Sequence, residues 1–161
     1  AASRQPAETM APKGDAEAAE VKKTRFLKPN KVVILLTGRF AGKKAVVIRT
    51  MDDGTADRSY GYCIVAGIDK YPLKISKQMS AKRATKRSRI KPFVKVVNYN
   101  HIMPTRYSLE VDLKHVVSQE VMNRPDARPN AKKDVKKVLE EKYQSSLKTG
   151  KNRWFFNKLR F

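Results

Sequence analysis

Cysteine is almost missing from this 161-residue chain: Cys63 stands alone, which excludes an internal disulfide framework and fits a reducing compartment. The only histidines, His101 and His115, make no metal-ligand spacing with it or with each other, so no zinc site is expected. Long hydrophobic runs are missing too. None approaches the ~20 residues of a membrane-spanning helix, and the first residues hold no apolar core of a secretory signal. Acid is scarce: 15 Asp plus Glu stand against 36 Lys plus Arg, for a formal net charge of +21. At 18.3 kDa and 40% hydrophobic residues the chain suits one modest domain with tails, not wholesale disorder. Self-repulsion at this charge opposes compaction, so a polyanion is the expected partner. Nucleic acid is the commonest one inside cells. An anionic membrane surface is the rival, but it usually wants a basic amphipathic helix with an aromatic or aliphatic face.

The charge is unevenly placed. Residues 1–20 hold two basic and four acidic side chains and are rich in Ala, Pro and Glu. Residues 1–24 therefore read as a disordered extension. From Lys28 the texture changes. Lys31-Val32-Val33-Ile34-Leu35-Leu36 and Lys44-Ala45-Val46-Val47-Ile48-Arg49 read as strands joined by a glycine-containing loop, Gly38 to Lys43. Tyr62–Ala66 and Phe93–Val97 read as two more. The period-2 alternation of Tyr107–Leu113 predicts a fifth with one buried face. Five short strands suggest a small β-barrel or sandwich over residues 28–116, the only autonomous core expected. Beyond Asn130, which reads as an N-cap after Pro129, the period becomes helical. Val135, Val138, Leu139, Tyr143 and Leu147 share one side of a helix over about 131–149, which Gly150 can end.

The strongest chemical signal lies between Lys74 and Lys95. Lys74, Lys77, Lys82, Arg83, Lys86, Arg87, Arg89, Lys91 and Lys95 are there with no acid among them. A solvated protein face usually mixes charge signs; a one-sign run releases counterions from a polyanion and binds it with a steep salt dependence. Residues 74–91 show no apolar periodicity and are expected to order on an RNA backbone as they bind. The ending Lys151–Phe161 interleaves Lys151, Arg153, Lys158 and Arg160 with Trp154, Phe155, Phe156 and Phe161. Such rings can stack on exposed bases or pack on the protein's own helix. Gly38-x-x-x-Gly42-Lys43-Lys44 imitates a phosphate-binding P-loop and fails as one. Its spacing is one residue short, no Ser or Thr follows the lysine, and a strand follows instead of a helix. Glu110 and Asp112 share a strand face, but a solvent-facing stripe explains them as well as acid–base chemistry does. No catalytic constellation and no cofactor are implied.

The stretch Val32–Asp53 resembles a KOW motif: apolar strand, basic loop, a glycine at the motif's eleventh position (Gly42) and a second apolar strand. The likeness extends through Phe26–Val33, through Tyr99-Asn100-His101-Ile102-Met103-Pro104-Thr105-Arg106-Tyr107, and through Lys151–Phe161. Over residues 25–161 the chain resembles the eukaryotic-type family of ribosomal protein twenty-seven of the large subunit. That resemblance implies an SH3-like (KOW) barrel, mainly β with α, carrying a basic insertion, a C-terminal helix and extended tails. On this division residues 25–116 are the barrel, with the insertion at 74–91. Residues 117–161 are linker, helix and tail.

The resemblance also implies a non-catalytic constituent of the cytoplasmic large ribosomal subunit, assembled in the nucleolus. Its partners would be ribosomal RNA and neighbouring ribosomal proteins, with no membrane and no homo-oligomer. Lys31, Arg39, Lys43, Lys44 and Arg49 would decorate the KOW hairpin. The 74–95 segment and Arg106 would follow the RNA, and Arg153, Trp154, Lys158, Arg160 and Phe161 would anchor the far end. A KOW-containing transcription or RNA-processing factor is the alternative within the same class. An SH3-like adaptor for proline-rich peptides would want an acidic rim that this chain lacks.

Overall fold

The computed structural model describes residues 26–161; the extension expected over 1–24 lies outside them. Five strands form one antiparallel sheet: β1 (Lys31–Leu35), β2 (Lys44–Met51), β3 (Tyr62–Lys70), β4 (Lys91–Asn98) and β5 (Ile102–Ser108). Their spatial order is β4-β3-β2-β1-β5. Four helices accompany them: α1 (Ala81–Ser88), α2 (Gln119–Asn123), α3 (Arg128–Thr149) and α4 (Arg153–Phe156). The chain is mainly β with α, as expected.

The sheet is strongly curled, and chain length alone requires it. β4 and β5 are its two edges, yet only the 3₁₀ turn Tyr99–His101 joins them. Four strand spacings in a flat sheet would separate the edges by about 19 Å. The link can span roughly 14 Å at most. Hydrogen bonds pin it to both neighbours: the Tyr99 amide donates to the Gly61 carbonyl (3.2 Å) and the Leu36 amide to the His101 carbonyl (3.0 Å).

Both faces of the central strands are apolar, which is why β2 and β3 read as continuous hydrophobic runs. On one face Val33, Leu35, Ala45, Val47, Cys63, Val65, Phe93, Val97 and Ile102 bring all five strands into one cluster with Phe40. At its centre Gly67 opposes Phe93 across the β3–β4 pair. A Cβ on Gly67 would come 2.4 Å from the Phe93 ring and 2.7 Å from the Lys44 carbonyl, so only glycine admits this approach. Phe40 stacks on Phe93 with ring centroids 4.0 Å apart and planes 5° from parallel. On the other face Val32, Val46, Ile48, Ile64, Ala66 and Ile68 meet Leu109, Val111, Leu113 and Val117, with Val135, Leu139 and Tyr143 of α3 and Phe155 and Phe156 of α4. Side chains on both sides of residue 116 thus share one core.

Three expectations are corrected. The fifth strand lies earlier than its alternation suggested. Leu109, Val111 and Leu113 are buried and their polar neighbours exposed, but the strand ends at Ser108: the Leu109 amide still donates to the Asn30 carbonyl (2.8 Å), and beyond it the Leu113 amide turns back onto the Val111 carbonyl (3.1 Å). Alternation reports one buried side; it does not report hydrogen-bonded pairing. The real β5 was disguised by Pro104, tolerated because β5 is an edge strand. At the register shift beside it, the Thr105 hydroxyl donates to the Val32 carbonyl at 2.7 Å. Second, α3 begins at Arg128 with no side-chain cap, so Asn130 is inside it. Pro129 fits the first turn, where its missing N–H would have had no partner. Gly150 ends the helix in the left-handed conformation, φ 73°. The buried stripe runs Ala131, Val135, Leu139, Tyr143, Ser146, which leaves Val138 at its margin and Leu147 exposed. Third, the basic segment is not irregular throughout, because it contains α1.

Candidate nucleic-acid interface

Helix α1, Ala81-Lys82-Arg83-Ala84-Thr85-Lys86-Arg87-Ser88, buries no residue. It owes nothing to an apolar face; Ala, Lys and Arg are good intrinsic helix formers, and Lys86 and Arg87 suit its C-terminal dipole. Its attachment to the body comes from its flanks. The Leu73 amide donates to the Arg87 carbonyl (2.9 Å), and Arg87 Nε donates back to the Lys74 carbonyl (3.0 Å). The Ile90 amide donates to Glu140 Oε1 of α3 at 3.1 Å, with the Ile90 side chain in the core. Apolar periodicity missed this helix because it buries nothing; the signal was in the charges, with Lys82, Arg83, Lys86 and Arg87 at i, i+1, i+4 and i+5 opposite Ala81, Ala84 and Ser88. Lys74, Lys77, Lys82, Arg83, Lys86 and Arg89 are exposed; Arg87 is half-buried and committed to Lys74. Lys91 pairs with Asp69 at 3.3 Å, and Lys95 is exposed.

The β1–β2 loop places its cations differently from one another. Gly38 and Gly42 both take positive φ, 79° and 71°, and the Gly42 amide closes the loop on the Leu35 carbonyl at 2.7 Å. Arg39 is exposed, its guanidinium 4.8 Å over the Phe40 ring. Lys43 reaches back to the Asp69 carbonyl at 2.7 Å. Lys31 lies 4.0 Å over Phe26, Arg49 donates to the Lys114 carbonyl at 3.4 Å, and Arg106 sits exposed over Tyr107.

Lys44 is not a surface cation, which corrects the expectation for it, and Trp154 is half-buried against the protein. Lys44 is fully buried: Nζ donates to the Trp154 and Asn157 carbonyls and lies 4.1 Å over the Trp154 ring. The Tyr71 hydroxyl accepts from its amide at 2.9 Å. Burial pushes the ammonium down to about 8. The reason is α4. This single turn drives Phe155 and Phe156 into the core and lays Trp154 against Tyr107, centroids 4.7 Å apart, closing the tail over Lys44. The tail rings other than Phe161 therefore pack on the protein itself. Phe161 is exposed with its ring edge beside Gly42, where a Cβ would stand 3.0 Å away. Lys151, Arg153, Lys158 and Arg160 are exposed.

Sequence reasoning passed over Arg58, Arg128 and Lys132, which line one groove with Arg39 and Lys95. The signal existed on α3, where Arg128, Lys132 and Lys136 follow at i, i+4 and i+8 and so form one basic stripe. Arg58 carried none, because only the turn between Thr55 and Arg58 brings it here. Among the described residues no helix is long and apolar enough to cross a membrane, and no three His, Cys, Asp or Glu side chains converge on a metal position.

A profile of the ribosomal L27e protein family matches residues 32–161. Over 137 residues the chain is 59% identical to the large ribosomal subunit protein eL27 of Pisum sativum, covering 85% of this chain and 98% of that protein. The eL27 of Solanum tuberosum is 56% identical over 137 residues, covering 85% and 99%. The eL27A of Schizosaccharomyces pombe is 52% identical over 138 residues, covering 85% and 98%.

Proposed function

The chain belongs to the ribosomal L27e protein family, and from that premise we propose that it is a structural constituent of the large ribosomal subunit that holds folded ribosomal RNA through phosphate contacts. The observation that carries this reading is the acid-free run centred on α1. Six of its cations are exposed, Lys82, Arg83 and Lys86 on α1 and Lys74, Lys77 and Arg89 on its flanks, and no residue from 74 to 89 is buried, so among the described residues their charge serves no ion pair. Contacts of this kind position an RNA without reading its sequence. Arg39 on the β1–β2 loop, Lys95 on β4, and Lys151, Arg153, Lys158 and Arg160 at the C-terminus extend the basic surface. Lys31, Lys43, Arg49, Arg87, Lys91 and Arg106 belong to the same reading, each also touching a partner within the chain.

The curled sheet is a KOW-type, SH3-like barrel on this reading. Support comes from the cluster shared by all five strands and from the left-handed Gly42 at the motif's glycine position. The protein acts in the cytoplasmic ribosome after nucleolar assembly, beside neighbouring ribosomal proteins, and performs no chemistry of its own. Sedimentation through a high-salt sucrose gradient tests the assignment: the protein should travel with large subunits. Release into the soluble pool at moderate salt would favour a dissociable KOW factor. In filter binding to ribosomal RNA, neutralising about eight phosphates of single-stranded character gives a log–log salt slope of roughly −5 to −6, and a flat response would remove the electrostatic mechanism.

A further inference from the structure

The groove between the β1–β2 loop, β4 and the start of α3 differs in kind from α1. Arg39, Arg58, Lys95, Arg128 and Lys132 surround it, and no carboxylate is among its described lining residues. The lining also includes Phe40, Val94, Val96 and Met122, of which the half-buried Val94 and Val96 offer an apolar floor between the cations. Helix α1 offers charge without any such floor. We propose that this groove holds an unpaired RNA segment, with phosphates on its cations and bases or ribose against its floor. The proposal rests on the ribosomal-RNA reading above and names the form of RNA that this site selects.

Three observations support the proposal, and the first and last of them favour an unpaired strand over a duplex. A duplex presents phosphate and ribose outward and keeps its bases stacked inside, so an apolar floor gains nothing from it; an unpaired strand can turn a base inward. Next, the arginines are already held in place. Arg39 lies 4.8 Å over Phe40, Arg58 lies 5.5 Å over Tyr62, and Arg128 Nε donates to the Met122 carbonyl at 2.7 Å. Little side-chain freedom is left to lose when they meet phosphate. Finally, the groove continues. Lys95 and Val96 also line the adjoining depression, which carries Thr37, Tyr60 and His101. Tyr60 is 46% exposed and braced edge-to-face on Tyr62, with centroids 6.4 Å apart at 74°. A braced, half-exposed ring beside a cation is a stacking platform for the next base along the strand.

The test compares the full chain and its variants on two probes by fluorescence anisotropy: a short oligouridylate and a mixed-sequence RNA duplex of equal length. Tyr60→Ala should weaken oligouridylate binding roughly tenfold, the loss of one stacked base, and change duplex binding by less than about twofold. Tyr60→Phe keeps the ring and should restore the oligouridylate affinity, which separates stacking from a folding defect. The pair Lys95→Gln with Lys132→Gln should lower the oligouridylate salt slope by about 1.4. Equal losses on both probes would overturn the choice of an unpaired strand. Groove variants that bind like wild type, while Lys82→Gln/Arg83→Gln/Lys86→Gln on α1 binds weakly, would overturn the groove and leave the ribosomal-RNA reading standing. Failure of the wild-type chain to bind either probe at low salt would remove both.

Discussion

Replacing Lys44 by methionine removes a buried ammonium and keeps an unbranched side chain of similar reach. The consequence is readable as a change in how stability depends on pH. Desolvation lowers the Lys44 pKa from 10.5 to about 8 in the folded chain. Below pH 8 the folded and unfolded forms both hold the proton, and the cost of burying the charge is felt in full. Between about pH 8 and 10.5 the folded chain gives the proton up while the unfolded chain keeps it, so the unfolded state binds more protons and stability rises with pH. By pH 9.5 that contribution reaches at most about 2 kcal/mol, and the Trp154 and Asn157 carbonyls, which accept from the ammonium and favour its charged form, bring it to about 1 kcal/mol. Cys63 works in the opposite direction. Burial pushes its thiol up from 9.0 to about 12, so over that interval stability falls as pH rises. Subtracting the variant from the wild type cancels Cys63. Urea denaturation of both proteins between pH 7.5 and 9.5 should show the wild type gaining about 1 kcal/mol on Lys44→Met. A difference that stays flat would mean that Lys44 titrates as an ordinary hydrated lysine and that the α4 tail does not close over it.

Gly67→Ala forces the Phe93 ring and the Lys44 carbonyl apart, and should lower stability by about 1–3 kcal/mol in chemical denaturation; a neutral effect would refute the close β3–β4 approach. Leu139→Ala empties a fully buried position on α3 and should cost about 2–5 kcal/mol in one cooperative transition. A cost below about 0.5 kcal/mol would show that α3 does not share the sheet's core. The Cys63 thiol should resist aromatic disulfide reagents in the native protein at pH 8 and react at once in denaturant; rapid native labelling would contradict its burial.

The elements that sequence read well were those whose side chains face a core. β1 to β4 follow from apolar runs that stay apolar when both faces of the sheet are covered, and α3 from a 3.6-residue stripe. What it read poorly had no such face or had a competing signal. α1 has no large apolar residue, so its period shows only in the charges, with Lys82, Arg83, Lys86 and Arg87 on one side and Ala81, Ala84, Thr85 and Ser88 on the other. Pro104 argued against a strand that an edge position permits, while Leu109–Leu113 alternates without a ladder. The same division runs through the basic residues. One-sign charge between Lys74 and Lys95 was legible from composition along the chain, because local density suffices to show it. Lys44 was misplaced because its neighbours in space, Trp154 and Asn157, lie more than a hundred residues on (|i−j| 110 and 113).

The residues in order were enough to give the sign and density of the charge, the strand-rich core, the exclusion of an internal disulfide, and the kinship carried by Gly42, the 99–107 block and the ending. Those are properties of residue identity and of spacing along the chain. Tertiary structure decided which cations remain outside. Curling the sheet until β4 and β5 approach, and folding α4 over β2, withdrew Lys44 and gathered Arg39, Arg58, Lys95, Arg128 and Lys132 around one groove. No local pattern encodes that selection, because desolvation depends on what the rest of the chain brings within a few ångströms of each charge.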